Sequence, residues 1–195
     1  MSLHDPIQRQ APLPKALTRP QISLLGEVDK EMTEKLCGAL DKPEGEGDIA
    51  IEMTTSGGDP ELARRMMLEV REARERLGRR ILFLGKTQVY SAGVTFMAGF
   101  PCGDRFLTRD AALLIHMRQL DKTVEISGPM RASLPQVEAL CREFEFGKTL
   151  EDENFRELIA GSKLKLEELL DKALYDWYVP AEEAAELGLI AAIVD

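Results

Sequence analysis

Imidazole is nearly absent from this 195-residue chain, which has only His4 and His116. Any chemistry that needs a histidine near neutral pH therefore falls to one of two positions. Long apolar runs are missing too: none approaches the ~20 residues needed to cross a bilayer, so no membrane partner is expected. Met1 to Pro20 has no continuous apolar core of the kind a secretory leader carries. Basic residues are outnumbered 34 to 25, giving a net charge of −9. That balance argues against nucleic acid as a partner, because phosphate binding wants a basic face. Cys37, Cys102 and Cys141 are odd in number, scattered and without metal-ligand spacing. No metal or other cofactor is expected, and reduced thiols in a cytoplasmic protein are the simplest reading. There is no internal repeat.

With 44% hydrophobic and 30% charged residues, the composition is that of a soluble globular protein. Its length suits one domain with a sizeable core. Residues 1–20, with Pro6, Pro12, Pro14 and Pro20 among polar residues, read as a flexible N-terminal arm. Residues 21–195 read as the single domain. Ile22–Leu25 suits a buried strand, and 29–40 carries a helical stripe at 32, 36, 39 and 40. Residues 48–53 suit a second strand. Asp59-Pro60 then pairs a good N-cap with a residue suited to the first helical position, and Gly78 is the expected stop. A third strand over 81–84 leads to a helix starting near Ser91, and short strands are expected around 105–107 and 112–115. This alternation predicts an α/β fold with a largely parallel sheet. Residues 117–132 are polar and irregular. Ser133-Leu134-Pro135-Gln136 suggests a capping box, opening a long helix that runs to about Ala160 before Gly161. A further helix is expected over 164–174.

Ser91 carries the chemistry. It stands in Tyr90-Ser91-Ala92-Gly93, after the strand-like run 80–85, while Thr55-Ser56-Gly57-Gly58 ends the preceding apolar run and Leu113-Leu114-Ile115-His116 follows. A serine hydroxyl becomes a useful nucleophile when a neighbouring base takes its proton, and histidine is the usual base. His4 lies in the N-terminal arm, which leaves His116. The bland readings are an N-cap serine, a core histidine and a glycine turn needing positive φ. The combination favours a serine hydrolase, with backbone N–H groups at the glycine pair and at Ala92 available to an oxyanion. Local sequence does not separate Gly57 from Gly58 in that role.

The order Ser-Gly-Gly, Ser-Ala-Gly, Ile-His resembles the Clp-type proteolytic subunit, a self-compartmentalising serine peptidase. The likeness extends to Ile22–Asp29 and to Asp176 with Ala181–Ile190, so it covers most of 21–195. It implies a ClpP/crotonase-type α/β fold of repeated ββα spiral units, with a protruding helical handle at about 117–161. It also implies a Ser91–His116–Asp176 triad and an oxyanion hole formed by the N–H groups of Gly58 and Ala92. Asp171 is a local competitor for the third place and Asp110 a weaker one. Peptides or unfolded proteins would be the substrates. The assembly implied is a homo-oligomer of heptameric rings stacked as a tetradecamer.

The chain also departs from the family pattern. His116-Met117-Arg118-Gln119-Leu120 lacks the proline and glycine pair that follow the family's histidine, which alters the peptide-docking strand. The interval from His116 to Asp176 is long, implying an enlarged handle, and Pro180 replaces a small hydroxyl residue. The arm lacks the acidic and aromatic axial-loop pattern, which weighs against docking to an AAA+ unfoldase. Two other functions compete with the peptidase. A crotonase-type acyl-CoA enzyme would use the same backbone donors on an enolate but would leave Ser91 and His116 unexplained. A catalytically silent scaffold subunit would not need the Ser-His pair.

Overall fold

The computed structural model describes residues 12–120 and 122–195. Strands β1 (Ile22–Leu25), β2 (Ile49–Thr55) and β3 (Ile81–Tyr90) are parallel neighbours. Helices α1 (Lys30–Asp41) and α2 (Pro60–Leu77) supply the crossovers between them. The α1 stripe buries Met32, Leu36 and Leu40, while α2 buries Met66, Val70 and Ala73. Asp59 caps α2 by accepting from the N–H groups of Glu61 at 2.7 Å and Leu62 at 3.2 Å. Gly78 ends α2 in the left-handed region at φ 60°, donating its N–H to Arg74. Both ends of α2 are thus set by the residues that predicted them.

Beyond β3 the sheet forks. The first half of β3 pairs with β4 (Arg105–Thr108), and β4 with β7 (Ala192–Val194). The last three residues of β3 pair instead with β5 (Ala112–Ile115), which runs antiparallel to β6 (Trp177–Pro180). The break falls at Lys86–Thr87, where Thr87 has φ 59° and the β2–β3 register slips between Met53 and Thr55. A bulge here bends β3 and lets β5 leave the plane of the main sheet. Three parallel strands, β2, β3 and β5, therefore end at one edge.

The sheet is covered on both faces, as parallel sheets require. One face packs Ile49, Ile51, Ile81 and Phe83 against the helices. Ala50, Leu82, Leu84 and Phe106 form a smaller core on the other face with Leu17. Leu17 belongs to a 3₁₀ turn at Lys15–Thr18, so this part of the expected arm is packed on the sheet. Residues 1–11, including His4, lie outside the described residues.

The long helix is α4 (Met130–Ile159), followed by α5 (Leu166–Ala173) and the short α6 (Ala181–Glu186) before β7; α3 (Ala92–Ala98) lies between β3 and β4. The capping box expected at Ser133 is not the start of α4. The helix begins three residues earlier, Ser133 bonds back to the Pro129 carbonyl at 3.3 Å, and Pro135 is tolerated inside it. The base of α4 is buried through Leu150, Phe155 and Leu158, and at its other end only Ser133 is buried. Its outer part projects as the expected handle, with Phe144 and Phe146 54% and 64% exposed.

Arg105 fastens that base. It is 1% exposed and, among the described residues, forms no ion pair. Its guanidinium instead donates to the carbonyls of Phe100 and Leu158, each at 2.6 Å, and to those of Ala98 and Glu157, each at 3.2 Å. These carbonyls belong to the C-terminal ends of α3 and α4, where the helix dipole favours a cation. Burial lowers the pKa of Arg105 from its ordinary value, with Arg74 adding to the shift and Glu157 opposing it.

Candidate active site

Each strand that ends at the fork edge delivers one part of the site: β2 the Gly57-Gly58 turn, β3 Ser91, and β5 His116. The pairings explain why. Thr55 lies beside Val89, and Val89 beside Leu113, so the residues two or three positions further on emerge together. Carboxyl ends of parallel strands are the usual ligand sites of such sheets. Here they open on a cavity of about 220 Å³ lined by Gly58, Ser91, Ala92 and His116, with Val94 and Leu150 on its apolar side.

Ser91 occupies the sharp turn from β3 into α3, at φ 53° and ψ −113°. A non-glycine residue held there stores strain of about 1–3 kcal/mol, a feature that clusters at functional sites. Its backbone is fully used: the N–H donates to the Leu114 carbonyl at 3.0 Å, and its carbonyl accepts from Val94 and Thr95. The hydroxyl makes no hydrogen bond among the described residues, and Ser91 makes no side-chain cap bond to α3. The capping role that would explain a serine at this position is therefore absent.

The glycine pair divides its labour. The Gly57 N–H is spent on the Thr55 hydroxyl at 3.0 Å, and its carbonyl accepts from the Val28 N–H at 2.7 Å. The Gly58 N–H has no acceptor among the described residues, nor has that of Ala92 in the first turn of α3. Gly58 lines the cavity and Gly57 does not. Both need glycine: a Cβ on Gly57 would stand 3.0 Å from the Ser91 Cβ, and one on Gly58 would stand 2.4 Å from the Val28 carbonyl oxygen.

His116 follows the last residue of β5 and is half-buried. Its Nδ1 lies 2.7 Å from the carbonyl oxygen of Met117. A carbonyl can only accept, so Nδ1 carries a proton, and in the neutral ring Nε2 then presents a lone pair. Ser91 and His116 share the cavity without a direct hydrogen bond between them.

Asp176 sits in the turn between α5 and β6, at φ 54°. The β5–β6 ladder pairs Ile115 with Trp177, and one further step would set His116 opposite Asp176. The Asp176 side chain is exposed, makes no ion pair with His116, and does not line the cavity. Asp171 lies exposed on α5, and Asp110 precedes the opposite end of β5. Arg64, Glu151 and Asn154 also line the cavity, and the sequence reading missed all three. They come from α2 and α4, and nothing local distinguishes them from other charged or polar helix residues. Among the described residues, no group of three His, Cys, Asp or Glu side chains is placed to hold a metal ion.

No family model matches the sequence, and no curated protein matches it. Among solved structures, the chain is similar to a point mutant of ClpP1 from Listeria monocytogenes, with a TM-score of 0.68 and 16% identity. That likeness spans 89% of this chain and 90% of the other. The chain thus has a ClpP-like α/β fold, a mostly parallel sheet flanked by helices.

Proposed function

We propose that this protein is a serine endopeptidase whose nucleophile is Ser91 and whose general base is His116. The observation that carries the reading is the convergence at one strand edge of an unbonded, strained serine hydroxyl, an imidazole with Nε2 free, and two unspent backbone N–H groups. Ser91 Oγ attacks the scissile carbonyl while its proton passes to His116 Nε2. The oxyanion that forms is met by the N–H groups of Gly58 and Ala92. His116 then returns the proton to the leaving amine, and water discharges the acyl-enzyme by the same steps. Asp176 is the flanking carboxylate in this reading, supported by its place opposite His116 on the extended ladder.

The substrates proposed are peptides and unfolded chains, handled inside a homo-oligomer of stacked heptameric rings. The handle supports an assembly: Met130, Leu134, Phe144 and Phe146 leave an apolar surface uncovered on one helix. Three unpaired cysteines fit a cytoplasmic setting. The decisive experiment is labelling with a fluorophosphonate and locating the adduct. Modification of Ser91, lost in Ser91→Ala, is expected. An unmodified protein would favour the acyl-CoA enzyme or the silent scaffold. Light scattering tests the assembly separately, and a monomeric or dimeric mass at micromolar concentration would refute the ring.

A further inference from the structure

His116 needs something to fix its ring, and the group that does so belongs to the main chain. The Met117 carbonyl, which holds Nδ1–H, and the Arg118 N–H are two ends of one peptide unit. The Arg118 N–H donates to the carboxylate of Glu151, from the base of α4. A continuous chain therefore runs from imidazole Nδ1–H, through the Met117–Arg118 peptide, to a carboxylate. We infer that Glu151 is a positioning residue for His116, acting through that peptide unit.

The physics is that of a polarised amide. A peptide whose N–H donates to an anion gains electron density on its oxygen, so its carbonyl becomes a stronger acceptor. A stronger acceptor at Nδ1 favours the Nδ1–H tautomer and, during acylation, the imidazolium. No proton moves along this chain: the Nδ1 proton stays on the ring, and only the Ser91 proton passes to Nε2 and on to the leaving amine. The groups flanking that peptide are also held. The Met117 N–H donates to the Ala173 carbonyl at 3.2 Å, and the Arg118 guanidinium pairs with Glu61. Glu61 in turn holds Arg64 at 3.0 Å. Orientation of the ring thus comes from α4.

This inference rests on the Ser91–His116 reading for its catalytic consequence, but its first test does not use activity. His4 and His116 are the only imidazoles. Nitrogen-15 spectra of histidine-labelled His4→Gln protein therefore report His116 alone. The neutral ring should be the Nδ1–H tautomer. Glu151→Ala should move it toward the Nε2–H form preferred in solution, and isosteric Glu151→Gln, which keeps a neutral acceptor, should move it less. Asp176→Asn should leave the tautomer unchanged. Glu151→Ala should lower kcat by about 10- to 100-fold with KM little altered, as expected when a reacting group is misplaced, and Glu151→Gln should recover part of that loss. An unchanged tautomer in Glu151→Ala, or a tautomer shift in Asp176→Asn alone, would overturn the inference. If fluorophosphonate leaves Ser91 unmodified while the spectra behave as expected, the peptidase reading fails and the positioning contact stands.

Discussion

Gly58→Ala should damage stability and chemistry together, and the two losses can be measured apart. Gly58 holds φ 139°, a backbone that L residues rarely adopt. Its new Cβ would meet the Val28 oxygen at 2.4 Å and the Val28 nitrogen at 2.7 Å. Neither atom can step aside cheaply. The Val28 N–H is tied to the Gly57 carbonyl at 2.7 Å, and its carbonyl to the Asp59 N–H at 2.8 Å. Restoring a contact near 3.5 Å requires the turn to move by roughly 1 Å. Backbone strain and overpacking together should cost about 2–4 kcal/mol. In a chain of this length that lowers Tm by about 5–15 °C. The same shift withdraws the Gly58 N–H from the oxyanion, which should reduce kcat by about 10²–10³. Gly78→Ala is the control: φ is 60° and nothing lies within 4 Å of the added Cβ, so turnover should be unchanged. Thermal unfolding reads the first loss, and peptide turnover per Ser91 competent for labelling reads the second. A Gly58→Ala protein that melts low but turns over normally would refute the oxyanion role alone. Normal melting and normal turnover would refute the packing argument as well.

Three further outcomes are expected. Ser91→Gly should abolish labelling yet raise stability by about 1 kcal/mol, because glycine accepts the φ 53° that strains serine; a lowered Tm would mean that the turn is not strained. Arg105→Met should cost about 3–5 kcal/mol in chemical denaturation, since it leaves the carbonyls at the ends of α3 and α4 without their donor; a change under 1 kcal/mol would show that water replaces the guanidinium. Burial raises the Glu52 pKa, but hydrogen bonds from Lys86 and Ser23 outweigh it and bring the net value below the ordinary 4.5. A depressed carboxylate pKa contributes stability above the unfolded value and loses it as pH falls through the folded one. Glu52→Gln should therefore be slightly less stable than the parent at pH 7 and match it near pH 3, and a deficit that persists in acid would place the effect in packing instead.

What could be read from sequence was whatever leaves a local mark. Asp59-Pro60 and Gly78 bounded α2 because capping and positive φ select particular residue types at particular positions. The end of β5 at Ile115 was legible as the close of an apolar run, and His116 directly follows it. The capping box at Ser133 misled because its serine and glutamine satisfy a local rule that tertiary structure overrode. Pro129 opens α4 earlier, and the hydroxyl of Ser133 is spent on the Pro129 carbonyl. The extension of β3 to Tyr90 was hidden by Lys86 and Thr87, whose polarity reads as a loop but forms the bulge that forks the sheet.

The same distinction separates the two halves of the site. A nucleophile and a base must be a serine and a histidine, so composition alone narrows them to a few positions, and two histidines leave almost no choice. The groups that orient and stabilise are under no such constraint. The choice between Gly57 and Gly58 turns on whether the Thr55 hydroxyl takes one N–H and leaves the other. The Met117 carbonyl has no side-chain signature at all, because any residue supplies one. Glu151 is one of 34 acidic residues and 35 positions from His116, and only the return of α4 against the end of β5 brings it to the Arg118 N–H. Asp176 shows the converse. The family resemblance singled it out before the closing segment, and it stands one step beyond the last β5–β6 pair, Ile115 with Trp177, yet its positive φ turns the chain at that point and its side chain lies in solvent. Sequence order can place a backbone beside a histidine; which acceptor its Nδ1–H meets is decided by dihedral angles that the order does not encode.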